Sequence, residues 1–141
     1  MEKYIIEKDI KTFYVAATSF PDGVLKAHQT LHSMLPSTKD RNFFGISFPG
    51  ENRKIIYRAA VEENYAGEAE KYNCETFIIR KGTYMSETIK DFMKDVSFVA
   101  KTFQQLLAHP QLDQNGYCLE IYPNQTDMIC MVKLNTDDRG V

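Results

Sequence analysis

Apolar positions recur along the chain at two different spacings, and the switch between them marks the elements. Phe13 to Phe20 (FYVAATSF) is rich in β-branched, aromatic and small residues and predicts a strand, which Pro21 stops. Asp22 and Gly23 then open a helix, with Asp22 as the expected N-cap. Val24, Ala27, Leu31, Met34 and Leu35 fall on one arc at helical spacing until Pro36 ends the run. Asn42 to Phe48 (NFFGISF) predicts a second strand, Pro49-Gly50-Glu51-Asn52 a turn, and Arg53 to Glu62 the return strand of a hairpin. A polar, helix-tolerant connector, residues 64–73, follows.

The same order then repeats. Glu75 to Tyr84 (ETFIIRKGTY) reads as one strand, extended by residues after Gly82. Phe92, Val96, Val99, Phe103, Leu106 and Leu107 mark an amphipathic helix that ends before Pro110. Tyr117 to Tyr122 (YCLEIY) is a strand, Pro123 to Thr126 a turn, and Met128 to Leu134 (MICMVKL) the return strand. Residues 135–141 form a polar tail expected to fray. The chain therefore predicts an α+β fold with two β-α-β-β repeats, residues 11–63 and 75–134, in one domain spanning 1–141. The repeats align Phe13 with Phe77, Phe20 with Tyr84, and FGISFPGEN with CLEIYPNQT, setting Phe48-Pro49 over Tyr122-Pro123.

Composition narrows the function classes. A chain of 141 residues can bury a core without disulfides or metal. The net charge of −2, with both signs interspersed, lacks a basic footprint for nucleic acid. Three cysteines (Cys74, Cys118, Cys130) without a Cys-x-x-Cys pair predict no disulfide framework, no cysteine zinc site and a reducing, cytoplasmic location. The segment MEKYIIEKDIKTF has no apolar run of signal-peptide length, and no stretch reaches membrane-spanning length. No cofactor motif is present: neither a glycine-rich phosphate loop nor a nucleophile elbow occurs.

The element order, the strand end KGTY (residues 81–84), the helix end LLAHP and the strand LEIYPNQ together resemble the GyrI-like effector-binding domain, over roughly residues 4 to 134. The most specific piece is Leu119-Glu120-Ile121-Tyr122, which is similar to the family's Glu-x-Tyr on a late strand. The resemblance implies a pseudo-twofold domain built on an antiparallel sheet with two main helices and a ligand groove between its halves. It also implies a small organic ligand, often cationic or apolar, met by Glu120. Relatives of this kind sense drugs as parts of transcription factors; others stand alone and are linked to gyrase inhibition, hence to a protein partner, or to hydrolysis of strained toxic compounds. This chain departs from the regulator pattern, with no room for a helix-turn-helix before Phe13 or after Leu134, so direct sequence-specific DNA binding is not expected. It also lacks the tryptophan associated with the hydrolase pocket.

Strand alternation puts Glu120 and Tyr122 on one side and Leu119 and Ile121 on the other. A carboxylate on a partly apolar face can pair with a ligand cation among aromatic rings, or act as general acid or base on a substrate. A solvent-facing strand glutamate is the plain alternative. Tyr57 and Tyr84, in the strands IIYRAAV and IIRKGTY, are candidate pocket walls; Phe44, Phe48 and Tyr14 are candidates of the same kind, each with plain core packing as its alternative. His28 and His32 are spaced i, i+4, but HQTLH lacks the metalloprotease glutamate, so a packed histidine pair is expected rather than a metal site. Phe98 departs from the second helix's apolar face, and Cys118 reads as a small buried hydrophobe.

Overall fold

The structure, a computed structural model, describes residues 1–135; the expected fraying of residues 135–141 falls, but for Asn135, outside the described residues. It is of the α+β class, with eight antiparallel strands and three helices among the described residues. The strands are β1 (Glu2–Ile6), β2 (Ile10–Ala16), β3 (Phe43–Pro49), β4 (Ile55–Glu62), β5 (Glu75–Ile79), β6 (Gly82–Ile89), β7 (Cys118–Ile121) and β8 (Met128–Lys133). The helices are α1 (Val24–Met34), α2 (Glu68–Lys71) and α3 (Ser97–Leu107).

The chain forms two compact units, Asp9–Ile79 and Met1–Lys8 together with the chain from Arg80 onward. The first has strand order β5-β2-β4-β3 and packs α1 against β4 and β2. The second has strand order β1-β6-β8-β7 and packs α3 against β8 and β6. The tandem β-α-β-β repeat is thus real, and each copy carries one further edge strand. The edge strands β1 (EKYII) and β5 (ETFII) share three of five residues, with an aromatic residue at the same position in each.

Three sequence expectations are corrected. Glu75 to Tyr84 is two strands, because the chain breaks after Ile79 and turns at Gly82, whose φ of 141° is one that side-chain-bearing residues rarely adopt. Phe77 therefore lies on the edge strand, and the partner of β2 in the repeat is β6. Asp22 does not cap α1: Gly23 is the N-cap, without a side-chain hydrogen bond. The amides at that end are taken by a turn instead, Gly23 N–H donating to the Ser19 carbonyl at 3.2 Å and Val24 N–H to that of Pro21 at 3.2 Å. Finally, the hairpins are aligned one residue out of step. Phe43 packs with the α1 core whereas Phe48 faces away from it, yet Tyr122 packs with the α3 core. Carrying the ladder registers from β1/β5 through to the hairpins sets Gly45 in the place of Glu120 and Ser47 in that of Tyr122. With a side-chain period of two, a one-residue slip exchanges faces.

Each unit has its own core. Phe13, Leu31, Tyr57, Ala59 and Val61 are buried together under α1, with Ala27 on the helix. Leu106 of α3 packs on Met128, Cys130 and Val132 of β8, with Val99 and Phe103 partly buried at the edge. The expected arc of α1 is its buried face; that of α3 is so only in part, since Leu106, Val99 and Phe103 turn inward while Val96 and Leu107 are 59% and 46% exposed and Thr102 is buried instead.

Candidate functional site

The strand β7 is short and half-apolar, and its alternation decides where its carboxylate points. Cys118 and Tyr122 pack against the α3 core, so Glu120, between them in parity, shares that face, while Leu119 takes the other. Glu120 is 9% exposed and sits opposite Cys130 of β8 in the ladder. The hydroxyl of Tyr122 donates a hydrogen bond to Glu120 Oε1. The Tyr122 ring lies 6.0 Å from that of Phe92, which sits in a 3₁₀ turn before α3. A buried carboxylate, a phenol hydroxyl on it and an aromatic rim are therefore assembled within the second unit. The thiol of Cys130 is pushed up by burial first, and then by the negative charge of Glu120 and by Cys118 and Glu87. Cys130 is thus a buried thiol of the α3 core whose thiolate is disfavoured.

The other candidates lie on other strands. Tyr84 lies on the face of β6 away from α3 and is fully buried; its hydroxyl donates to the Arg80 carbonyl at 2.7 Å and shares a 2.7 Å hydrogen bond with the Tyr117 hydroxyl. Tyr117 in turn accepts the Arg80 N–H at 2.9 Å. Tyr57 lies in the first unit on the α1 face, 1% exposed, its hydroxyl 2.8 Å from His28 Nε2 and its ring 5.9 Å from Phe20. Phe44 is buried, and Tyr14 and Phe48 lie on the same side of the sheet as Phe44, away from α1, flanking the guanidinium of Arg58. Within the second unit Glu120 and Tyr122 are in contact. Tyr117, Cys130 and Arg58 escaped the sequence reading; only Arg58 carried a signal, a charge in the middle of the apolar strand IIYRAAV.

His28 and His32 meet edge to face, 6.5 Å between ring centres, and His32 stacks on Phe43 at 4.1 Å. Among the described residues no group of three or more His, Cys, Asp or Glu side chains could hold a metal ion. Burial, and then the nearby His32, lowers the His28 pKa from 6.5 to about 4. A histidine buried neutral binds its proton more weakly folded than unfolded. It therefore contributes stability that is fully present above pH 6.5 and is lost as pH falls towards about 4. Chemical denaturation of the wild type should show this loss between those values, and His28→Gln should flatten it; an unchanged slope would remove His28 as its source.

Asp127, in the turn before β8, is held well below the usual carboxylate range by hydrogen bonds from the Asn124 side chain and the Asp91 amide, and by Lys90 and Thr126. It fixes the hairpin that carries Glu120. A depression of about 430 Å³ on the first unit, lined by Lys11, Glu63, Glu70, Cys74 and Glu75 among others, holds none of the candidate residues. No helix among the described residues is long and apolar enough to cross a membrane.

No family model and no curated protein matches the chain. Solved structures do. An integron cassette protein from Vibrio cholerae is similar at 9% identity and TM-score 0.69, over 94% of each chain. A protein solved bound to tetraphenylphosphonium is similar at 10% identity and TM-score 0.59, over 95% of this chain and 94% of that one. A hydrolase from Listeria innocua is similar at 13% identity and TM-score 0.56, over 94% and 90%. At these identities the likeness is one of fold.

Proposed function

We propose that the chain is a small-molecule-binding protein of the GyrI-like effector-binding kind, taking a lipophilic cation at Glu120. The observation that carries this reading is the burial of the Glu120 carboxylate on an aromatic and apolar face, with Tyr122 orienting it. A carboxylate removed from bulk water attracts a cation more strongly than one at the surface, and ring faces favour a diffuse cation over a hydrated one. That a structural neighbour is bound to tetraphenylphosphonium supports the same ligand class.

The test is calorimetric titration with tetraphenylphosphonium and a neutral analogue of equal size, on wild type and Glu120→Gln. Saturable binding of the cation, weakened about tenfold or more in the variant, is the expected result. Equal affinity of both proteins for the cation would end the assignment.

A second reading, hydrolysis of a small toxic compound at the same carboxylate, is favoured by the Tyr122 hydroxyl held on Glu120, which gives the pair a proton to share with a substrate. Product analysis of the same mixtures separates the two: consumed ligand, with consumption absent in Glu120→Gln, would make the site catalytic.

A further inference from the structure

Arg58 lies in the middle of β4, opposite Ala16 of β2 and Ile46 of β3. Its neighbours Tyr57 and Ala59 belong to the core under α1, so Arg58 leaves the opposite face of the sheet. Three rings from three other strands of the first unit surround it. Its guanidinium carbon is 4.4 Å from the centre of the Tyr14 ring, 4.8 Å from Phe48 and 5.8 Å from Phe77. Arg58 Nε is buried and meets no acceptor among the described residues. No carboxylate among the described residues is paired with it: of those on the same face, Glu62 accepts from Asn42 at 3.0 Å, and Glu75 sits opposite Tyr14.

This arrangement differs from an ordinary surface arginine and from a buried ion pair. Ring faces satisfy the flat sides of a guanidinium but accept nothing from its N–H edge. A half-buried cation with an unmatched donor edge carries a desolvation cost that an acceptor of opposite charge would offset. The surroundings also specify the acceptor. A planar guanidinium fork matches a carboxylate in two parallel hydrogen bonds and balances one unit of charge. The cladding of Tyr14, Phe48 and Phe77, with Ile56 36% exposed on the same face, suits an apolar body and disfavours a strongly hydrated ion such as phosphate.

We propose that Arg58 is a further ligand site, built within the first unit, that takes the carboxylate of an apolar organic acid. The rings that the sequence offered as walls for a cation, Tyr14 and Phe48, hold a cation of the chain's own, and the ligand sign that fits them is therefore negative. The carboxylate bonds the N–H edge, and its apolar body rests on the exposed ring surfaces and Ile56.

The test uses the full chain and three probes: benzoate, the neutral benzamide, and inorganic phosphate. Calorimetric titration is expected to give saturable benzoate binding, at least about tenfold tighter than benzamide, and weakened by a similar factor in Arg58→Gln. Arg58→Lys, which keeps the charge but loses the fork, should recover only part of the affinity. On wild type, the Arg58 Nε–H resonance should move with benzoate and not with benzamide, a readout that holds if a variant fails to fold. Benzoate and benzamide binding alike, phosphate binding as tightly as benzoate, or an Arg58 resonance unmoved by benzoate would each overturn the proposal.

Discussion

Arg41→Ala is expected to lower stability by about 3–5 kcal/mol, the usual cost of leaving a buried charge without its partner. Arg41 Nη1 donates to Glu68 Oε2 and Nη2 to Oε1, each at 2.9 Å, with side chains 6% and 3% exposed. Nη2 also donates to the Glu62 carbonyl at 3.0 Å, and Glu68 Oε1 accepts the Asn64 amide at 2.8 Å. The pair thus ties the segment before β3 to the end of β4 and to α2, a helix of only four residues that could not hold itself. Burial by itself would raise the Glu68 pKa; the hydrogen bonds from Arg41 and Asn64, and the charges of Arg41 and Lys71, outweigh it and leave the pKa lowered. A carboxyl with a lowered folded pKa stabilises above its unfolded value, here 4.5, and that stability is lost as pH falls through the lowered value. The acid limb should therefore lie below the His28 limb, and Glu68→Gln should shrink the lower limb, leaving the share of Asp127, without touching the upper one. Urea titrations of Arg41→Ala, Glu68→Gln and wild type across pH 3 to 8 would check this. A loss below about 1 kcal/mol in Arg41→Ala would place the pair with surface ion pairs.

Leu106→Ala is expected to cost about 2–5 kcal/mol, since Leu106 is fully buried between α3 and β8 and its truncation leaves a cavity. Leu107→Ala, one residue on and 46% exposed, should stay within about 0.5 kcal/mol. Leu106 packs in the same cluster as Cys130 and Tyr122, so the loss has a chemical readout beside the melting point. In wild type at pH 8, a thiol reagent followed by peptide mapping should label Cys130 more slowly than Cys74. Leu106→Ala should speed Cys130 selectively, because loosening α3 admits water to the strand that carries the thiol. Rapid labelling of Cys130 in the wild type would show that α3 does not seal this face.

Much of the fold was legible because it rests on local chemistry. The helical arc from Val24 to Leu35, the prolines at 36 and 110, and the turns after Pro49 and Pro123 each act over a few residues, whereas the strand expected to run from Phe13 to Phe20 spans Ile10–Ala16 and ends before Pro21 can stop it. The same holds for the alternation that set Glu120 and Tyr122 on one side of β7. The edge strands were harder. β1 is exposed at four of its five positions, so it has none of the buried alternation that marks a strand, although three of its five residues return in β5. The break between β5 and β6 turned on the positive φ of one glycine, and a glycine next to two basic residues suits a strand end and a strand interior alike.

What the sequence determined by itself was the α+β class, the tandem repeat, the buried face of α1, and the side of β7 from which Glu120 projects. Tertiary structure decided the rest. It buried Glu120 where a strand glutamate would ordinarily meet water, on the face of β7 that also carries Cys118 and Tyr122. It gave Gly45 to the equivalent place in the other repeat, because register, not motif similarity, sets which residues share a face. It turned Tyr14 and Phe48 from open ring faces into the holders of Arg58, because β2, distant in sequence, pairs with β4 on the side away from β3 and brings Tyr14 to the same face as Phe48. Periodicity reports the side of an element to which a residue points; what stands on that side is set by contacts between residues far apart in the chain.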